Sequence, residues 1–323
     1  MNVGRNTITG LVLGFGADLA LGDPRRGHPV AGFGRAALAL EGVLYAPSRV
    51  RGTVFAAALV GGAALAGHGL AIVLGRRAAL ALLTWTALGG RSLRREATAI
   101  ADQLARDDLG AARTSLPSLA GRDPCALGAD GIARAVVESV AENTSDAVVG
   151  TLLYGSVFGP AGVAAYRAAN TLDAMVGHRS PRYEQFGWAS ARLDDVLGWP
   201  AARAGAGLTV LCSGSARGRA WHVLRRDGGA HPSPNAGRME AAFAGALGLR
   251  LGGPLAYDGR VELRPSLGDG PAPVASDIRR ATRLSSRVGG AALAASVALW
   301  SVRRQRAVAR PSRASVPERG CSR

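Results

Sequence analysis

The sequence predicts an all-α protein of the membrane, with about three to five transmembrane or re-entrant helices and helical cytoplasmic segments. Three observations carry that reading. The 323 residues are 48% hydrophobic with a mean hydropathy of +0.12, yet bear a formal charge of +16, so apolar blocks must alternate with basic segments. Residues 52–75 (GTVFAAALVGGAALAGHGLAIVLG) run for 24 positions without Asp, Glu or Arg, between Arg51 and Arg76. Roughly 20 apolar residues suffice to cross a bilayer. The polar segments show helical periodicity: Ala133, Val136, Val137 and Val140 form one apolar stripe within residues 130–142, with Arg134, Glu138 and Glu142 opposite.

In chain order, residues 7–22 form an apolar stretch broken by Asp18. The loop 23–51 holds five Arg and reads as cytoplasmic by the positive-inside rule. Residues 52–90 read as a tight helical hairpin, because 78–90 follow Arg76-Arg77 closely. His68, the ionisable group of the long segment, is expected to face a neighbouring helix. Segments 91–146 and 217–287 are polar, Arg-rich and helical in pattern, and are placed in the cytoplasm. Residues 147–166 have no charge but contain Gly150, Gly155, Gly159, Pro160 and Gly162, which suits a broken or re-entrant segment. Residues 204–216 are a short apolar stretch, and 288–302 are apolar. One membrane-embedded catalytic domain is expected over 1–302, followed by a disordered tail, 303–323, with seven Arg.

Composition removes several chemistries. No Lys occurs, so a Schiff-base lysine and a Walker-type phosphate loop are both excluded, and phosphate must be held by Arg, backbone N–H groups or metal. Cys125, Cys212 and Cys321 are odd in number and too dispersed for a zinc site or disulfide framework. The first apolar run lacks the context of a cleavable signal. Aromatic residues make up 5% of the chain and the Arg are scattered between apolar runs, which argues against nucleic acid as a partner.

A polar word is written twice. AENTSDAVVG at 141–150 and AANTLDAMVG at 168–177 agree at seven of ten positions, with a constant offset of 27, in a chain that holds only five Asn. If 147–166 re-enters rather than crosses, both words lie on one side and can share a site; alternatively, both are helix-capping turns at a membrane boundary. Hard oxygen ligands at short spacing suit Mg²⁺ shared with substrate phosphates. The candidates are Glu142, Asp146 and Asp173 with Asn143 and Asn170, and the adjacent Asp194 and Asp195 beside Arg192, which equally suit a helix cap or exposed turn. GDPRRGHPV (22–30) contributes Asp23 and His28, GRSLRREA (90–97) Arg91, GRDP (121–124) Arg122, and HPSPNAGRMEAAFAGALG (231–248) His231, Asn235 and Glu240. Clustered Arg fits bidentate recognition of phosphate or carboxylate, and fits a solvated basic face as well.

Taken in order, GDPRRGHPV, GRSLRREA, GRDP, RAVVESVAENTSDAVVG, YRAANTLDAMVGHRSPRYEQFGWASARLDDV, HPSPNAGRMEAAFAGALGLRLGG and SDIRRATRL resemble the adenosylcobinamide-phosphate synthases, membrane proteins of cobalamin biosynthesis, over roughly residues 10–300. The resemblance implies an ATP-driven ligase that joins aminopropanol, as its O-phosphate, by an amide bond to a side-chain carboxylate of adenosylcobyric acid, through an acyl phosphate. It implies ATP and Mg²⁺ as cofactors, the corrinoid as substrate rather than prosthetic group, and a multi-pass protein of the cytoplasmic membrane whose site faces the cytoplasm, with other cobalamin-assembly enzymes as candidate partners. Glu142, Asp146, Asp173 and Asp194 or Asp195 would hold Mg²⁺–nucleotide, Arg91, Arg122 and Arg192 would hold phosphates or corrin carboxylates, and Glu138 would accept the amine proton. Three positions depart from the family pattern: Ala147 where Gly is usual, Thr151 near a usual Pro, and Arg167 where Lys is common. Two rival readings are an intramembrane prenyltransferase, which also uses paired acidic motifs for Mg²⁺–pyrophosphate, and a non-catalytic membrane scaffold for corrinoid enzymes.

Overall fold

The computed structural model describes residues 2–24, 26–257 and 260–308. It is helical apart from one β-hairpin. α1 (Asn2–Leu21) ends at Gly22, whose φ of 67° supplies the left-handed stop. α2 (Pro29–Leu44) occupies most of the expected loop 23–51: Pro29 sits in its first turn, and His28 caps it by accepting from the Val30 N–H at 3.2 Å. α3 (Arg49–Leu74) and α4 (Arg76–Leu88) form the expected hairpin, reversing at Gly75 with φ 78°. α3 is, among the described residues, the one helix long and apolar enough to cross a membrane; at 26 residues and about 1.5 Å per residue its length matches the thickness of a bilayer. His68 is exposed on it; the face that packs inward is marked by Gly67, against Pro160, Ala161 and Ala164.

α5 (Gly90–Ala105), α6 (Leu109–Ser115) and α7 (Ala129–Asn143) follow, and α7 reproduces the helix expected over 130–142 within a residue at each end. α8 (Gly150–Phe158) and α9 (Pro160–Leu172) realise the break in 147–166: Gly159 has φ 69°, Pro160 opens the next helix, and the two helices pack on each other as a hairpin. At nine and 13 residues, neither reaches the roughly 20 needed to cross alone. α10 (Trp188–Cys212) absorbs most of the 204–216 stretch, up to Cys212, and the Asp194-Asp195 pair, which therefore lies inside a helix and is neither cap nor turn. α11 (Arg217–Asp227) and α12 (Ala236–Leu247) pack together.

The helical reading of 217–287 fails between residues 251 and 267. There β1 (Leu251–Tyr257) pairs antiparallel with β2 (Arg260–Leu267), with an irregularity between Leu251 and Gly253. The signal was present in the sequence: Asp258-Gly259 is the dipeptide that favours a tight hairpin turn, and β-branched or aromatic residues flank it. α13 (Ala275–Val308) then runs against α5, α7 and α10. It carries helix into the first residues of the expected tail; 309–323, with Cys321, and also Arg25 lie outside the described residues.

Two hydrophobic cores result. The larger gathers α1, α4, α5, α7, α8, α10, α12 and α13 around residues such as Leu11, Leu80, Ile100, Val136, Leu152, Phe243 and Val288. The smaller is formed by Ala37, Phe55, Ala56, Leu172, Val176 and Phe186, where α2 and α3 meet the end of α9.

Candidate functional site

The repeated word changes the backbone in both places. α7 runs into a π-helical segment, Thr144–Val149, before α8, and α9 runs into another, Asp173–Gly177. A π turn widens the helix by one residue, and such insertions recur at functional sites. The α8–α9 hairpin brings the second word back beside the first, so the capping-turn alternative fails: neither word caps a helix through its side chains.

Asp194 joins the two limbs. Its carboxylate accepts from the Asn170 amide at 3.4 Å, and the Asn170 carbonyl accepts from the Arg167 guanidinium at 3.1 Å. Crowding then shapes the acidity. Burial, with the neighbouring charge of Asp195, pushes Asp173 up to about 6. Burial, then the charge of Asp173, pushes Asp194 up to about 7. Asp146 is raised well above the usual carboxylate range by burial, then by Glu142 and Asp194, and Glu142 is raised chiefly by burial. Asp195 is raised by burial against the pull of Arg192, 3.8 Å away. Water still reaches the group: Glu142 is exposed, and Asp146, Asp173, Asp194 and Asp195 are half-buried. Protein atoms surround these carboxylates, which is the burial that raises them, yet their own surfaces stay open to water, as on the walls of a cleft.

Such a cleft fits a divalent cation carrying phosphate. The acids repel one another, so a cation relieves what burial imposes. Among the described residues, several polar atoms buried without a hydrogen-bond partner lie nearby, among them Nε of Arg167, the hydroxyl of Tyr166 and Oδ1 of Asp23. Arg167 interacts with Asp146, Asp23 and Asp194 together, and the Tyr166 ring is stacked on Tyr154 at 4.7 Å. No three of the described His, Cys, Asp or Glu side chains are grouped closely enough to hold an ion by themselves. The set Glu142, Asp146, Asp173, Asp194 and Asp195 expected from the sequence is therefore not a ready-made ion cage; an ion here would take one or two of these carboxylates and complete its shell with water and phosphate oxygen.

A second polar cluster adjoins the first. Arg122 and Glu138, 7% and 2% exposed, are paired with each other in a short contact. The other oxygen of Glu138 accepts from the Gly252 N–H at 2.6 Å, where the hairpin irregularity frees that group from the ladder. The sequence reading gave Glu138 the amine proton and Arg122 a phosphate. The geometry instead spends one oxygen of Glu138 and at least one arm of Arg122 on a buried ion pair, and the other oxygen on the Gly252 N–H. Glu240, 2% exposed, is raised by burial and by the charges of Glu138 and Glu142, and His231 meets Arg264 at 3.1 Å.

Other candidates turn out to be supports. Arg91 donates to the carbonyls of Leu19 and Ala20, both at 2.6 Å, and so neutralises the end of α1, while its backbone N–H is received by Asp18 at 3.2 Å. Ser233 caps α12, receiving the Ala236 N–H at 3.2 Å; Asn235 instead donates to the Asp195 carbonyl at 2.9 Å and fixes α10 behind the acids. Asn143 donates to the Ser139 carbonyl at 3.0 Å, one turn back in its own helix. Arg192 is exposed at the rim, on an open groove of ≈ 520 Å³ shared with Asp195, Val196, Trp199 and Pro234. On the opposite flank an apolar cavity of ≈ 320 Å³ reaches Arg167 and Thr171 from α3. Tyr166 and Asp18 were missed as site and support residues. Their signals were weak: one of two Tyr in an apolar run and a lone acid in another.

A family model described as CobD/Cbib protein matches residues 11–285. A cobalamin biosynthesis protein CobD of Mycobacterium tuberculosis is 53% identical over 304 residues, 91% of this chain and 96% of that protein. Proteins of the same name from Rhodobacter capsulatus and Chromobacterium violaceum are 41% and 43% identical, over 90% and 84% of this chain and 98% and 89% of theirs. No solved structure matches the chain. The chain belongs to the CobD/Cbib family.

Proposed function

We propose that this member of the CobD/Cbib family works in cobalamin biosynthesis as an ATP-driven ligase, joining aminopropanol O-phosphate by an amide bond to a side-chain carboxylate of adenosylcobyric acid. The observation that carries the reading is the convergence of Asp146, Asp173 and Asp194 on one water-reached cleft, with Arg167 bridged to Asp194 through Asn170. Bound Mg²⁺–ATP would supply charge neutralisation on phosphate and activate the corrinoid carboxylate for attack. One or two of Asp146, Asp173 and Asp194 would hold the ion, with water and phosphate completing its shell, and Arg167 would meet a phosphate oxygen through its unpaired Nε. The amine loses a proton as the amide forms, and Glu142 receives it: it is exposed to the cleft and its acidity is already weakened. Arg122, Glu138 and the Gly252 N–H position Glu142 from the next turn of α7.

We place the chain in the cytoplasmic membrane with the cleft at the cytoplasmic face and at least α3 crossing. Exposed Val12, Leu13, Leu19 and Leu21 on α1 and Val50, Val54, Leu65, Ile72 and Val73 on α3 support this. The test is a reaction of the detergent-purified chain with adenosylcobyric acid, aminopropanol phosphate and Mg–ATP, read by product mass. An amide product that needs ATP and Mg²⁺ is expected. Asp146→Asn, Asp173→Asn and Asp194→Asn should each lower turnover ~100-fold or more with thermal stability not lowered. Full activity in all three would sink the ligase site and leave a scaffold role.

A further inference from the structure

The excess positive charge of the chain is organised at a place the cleft does not use. A cavity of ≈ 250 Å³ lies where the C-terminal ends of α10 and α12 meet the middle of α13, and Arg280, Arg283 and Arg287 line it with Ser213 and Leu247. Helix C-termini present unpaired carbonyls and partial negative charge, so cations are expected there. Those carbonyls are already answered. Arg280 donates to the Leu247 carbonyl at 2.7 Å and to Asp277 at 2.6 Å, Arg219 donates to the Gly245 carbonyl at 2.7 Å, and Arg217 to the Leu211 carbonyl at 3.1 Å.

Arg283 and Arg287 are surplus. Both are exposed, stand four residues apart on one face of α13, and make no hydrogen bond or ion pair among the described residues. Like charges at that spacing repel, so the arrangement is unfavourable until an anion enters. Two guanidinium forks around a concave space suit the oxygens of a phosphate group. The position names the source. Arg287 is the last charge before Val288, after which α13 reads VGGAALAASVALWSV, and Gly289 already packs against Val148 and Phe15 of the apolar bundle. A basic pocket at the point where a helix turns apolar lies at headgroup depth.

We propose that this cavity holds the headgroup phosphate of an anionic phospholipid, received by Arg283 and Arg287. The proposal rests on the membrane reading but not on the ligase reading, since neither arginine belongs to the cleft. The test follows the thermal unfolding of the detergent-purified full chain with short-chain phosphatidylglycerol, phosphatidylcholine or inorganic phosphate at equal concentration. Phosphatidylglycerol alone should raise Tm by mass action. In the variant carrying both Arg283→Gln and Arg287→Gln the apparent affinity should weaken ~10- to 100-fold, with Tm in detergent alone not lowered. The corresponding double Lys variant should retain part of the binding, because it keeps charge but not the forked geometry. Equal shifts by phosphatidylcholine, a full shift in the Gln variant, or the same shift from inorganic phosphate would each overturn the lipid site, the last in favour of a soluble phosphate ligand.

Discussion

The two limbs carry one word but belong to two different cores. In the first, Val148 and Val149 anchor the π segment in the large core. In the second, Leu172 and Val176 anchor it in the small core with Ala37, Phe55, Ala56 and Phe186. Their Asn residues differ in the same way: Asn143 bonds back to its own helix, whereas Asn170 bridges Arg167 and Asp194. The repeat therefore specifies a local backbone device, the widened turn, and leaves each limb to be used differently. The cleft lies at the seam between the cores, which is where a binding site needs least disruption of packing.

The closing glycine of each word offers the sharpest way to break this comparison. A Cβ on Gly150 would collide with the ring and hydroxyl of fully buried Tyr166, while a Cβ on Gly177 would collide with the carboxylate of Asp173. Gly177→Ala should then displace a presumed ligand and lower turnover roughly 100-fold with little change in Tm, since about 1 Å of misplacement can cost that much. Gly150→Ala should act through overpacking, costing about 1–3 kcal/mol of stability. Matching effects from the two variants, measured by unfolding and by turnover per folded molecule, would mean that the limbs are equivalent after all.

Acidity sharpens the contrast further. Asp173 and Asp194 lie outside α3 and are held near about 6 and about 7, against the 3.8 of an ordinary Asp. Between those limits the folded chain binds more protons than the unfolded one, so stability falls as pH rises through the raised values. Without divalent cations, Tm should be lower at pH 8 than at pH 5. Mg²⁺ should raise it more at pH 8, where both acids are ionised. A Mg²⁺ effect that is the same at both pH values would remove these two acids from the ion site.

Much of this was legible in the sequence because it rests on local rules. Gly75 and Gly159-Pro160 punctuate the chain where the helices turn, and the stripe on 130–142 became α7. The acids of both words were readable because polar residues are conspicuous in apolar sequence. What escaped was either local chemistry read for the wrong element, as at Asp258-Gly259, or long-range pairing. Nothing within GRDP says that Arg122 will be spent on Glu138, and nothing near Arg91 says that it will close the end of α1, because both partners arrive from other parts of the chain. A charged residue in a motif announces that charge is needed; which partner consumes it is decided by packing.

The Asn pair gives the smallest predicted effect and the finest test of unequal limbs. Removing Asn143 takes away a side-chain bond to the Ser139 carbonyl, one turn back in the same helix. Asn143→Ala should cost about 0.5–1.5 kcal/mol of stability or less and leave turnover nearly unchanged. Removing Asn170 unties Asp194 from Arg167, so both charged groups lose the bond that orients them toward the cleft. Asn170→Ala should lower turnover ~10-fold, one broken orienting bond being worth about 1.4 kcal/mol, and should weaken the Mg²⁺-dependent rise in Tm. The ratio of the two turnover losses measures how far a duplicated word has been divided into a structural copy and a chemical one; a ratio near one would return both Asn to the same task.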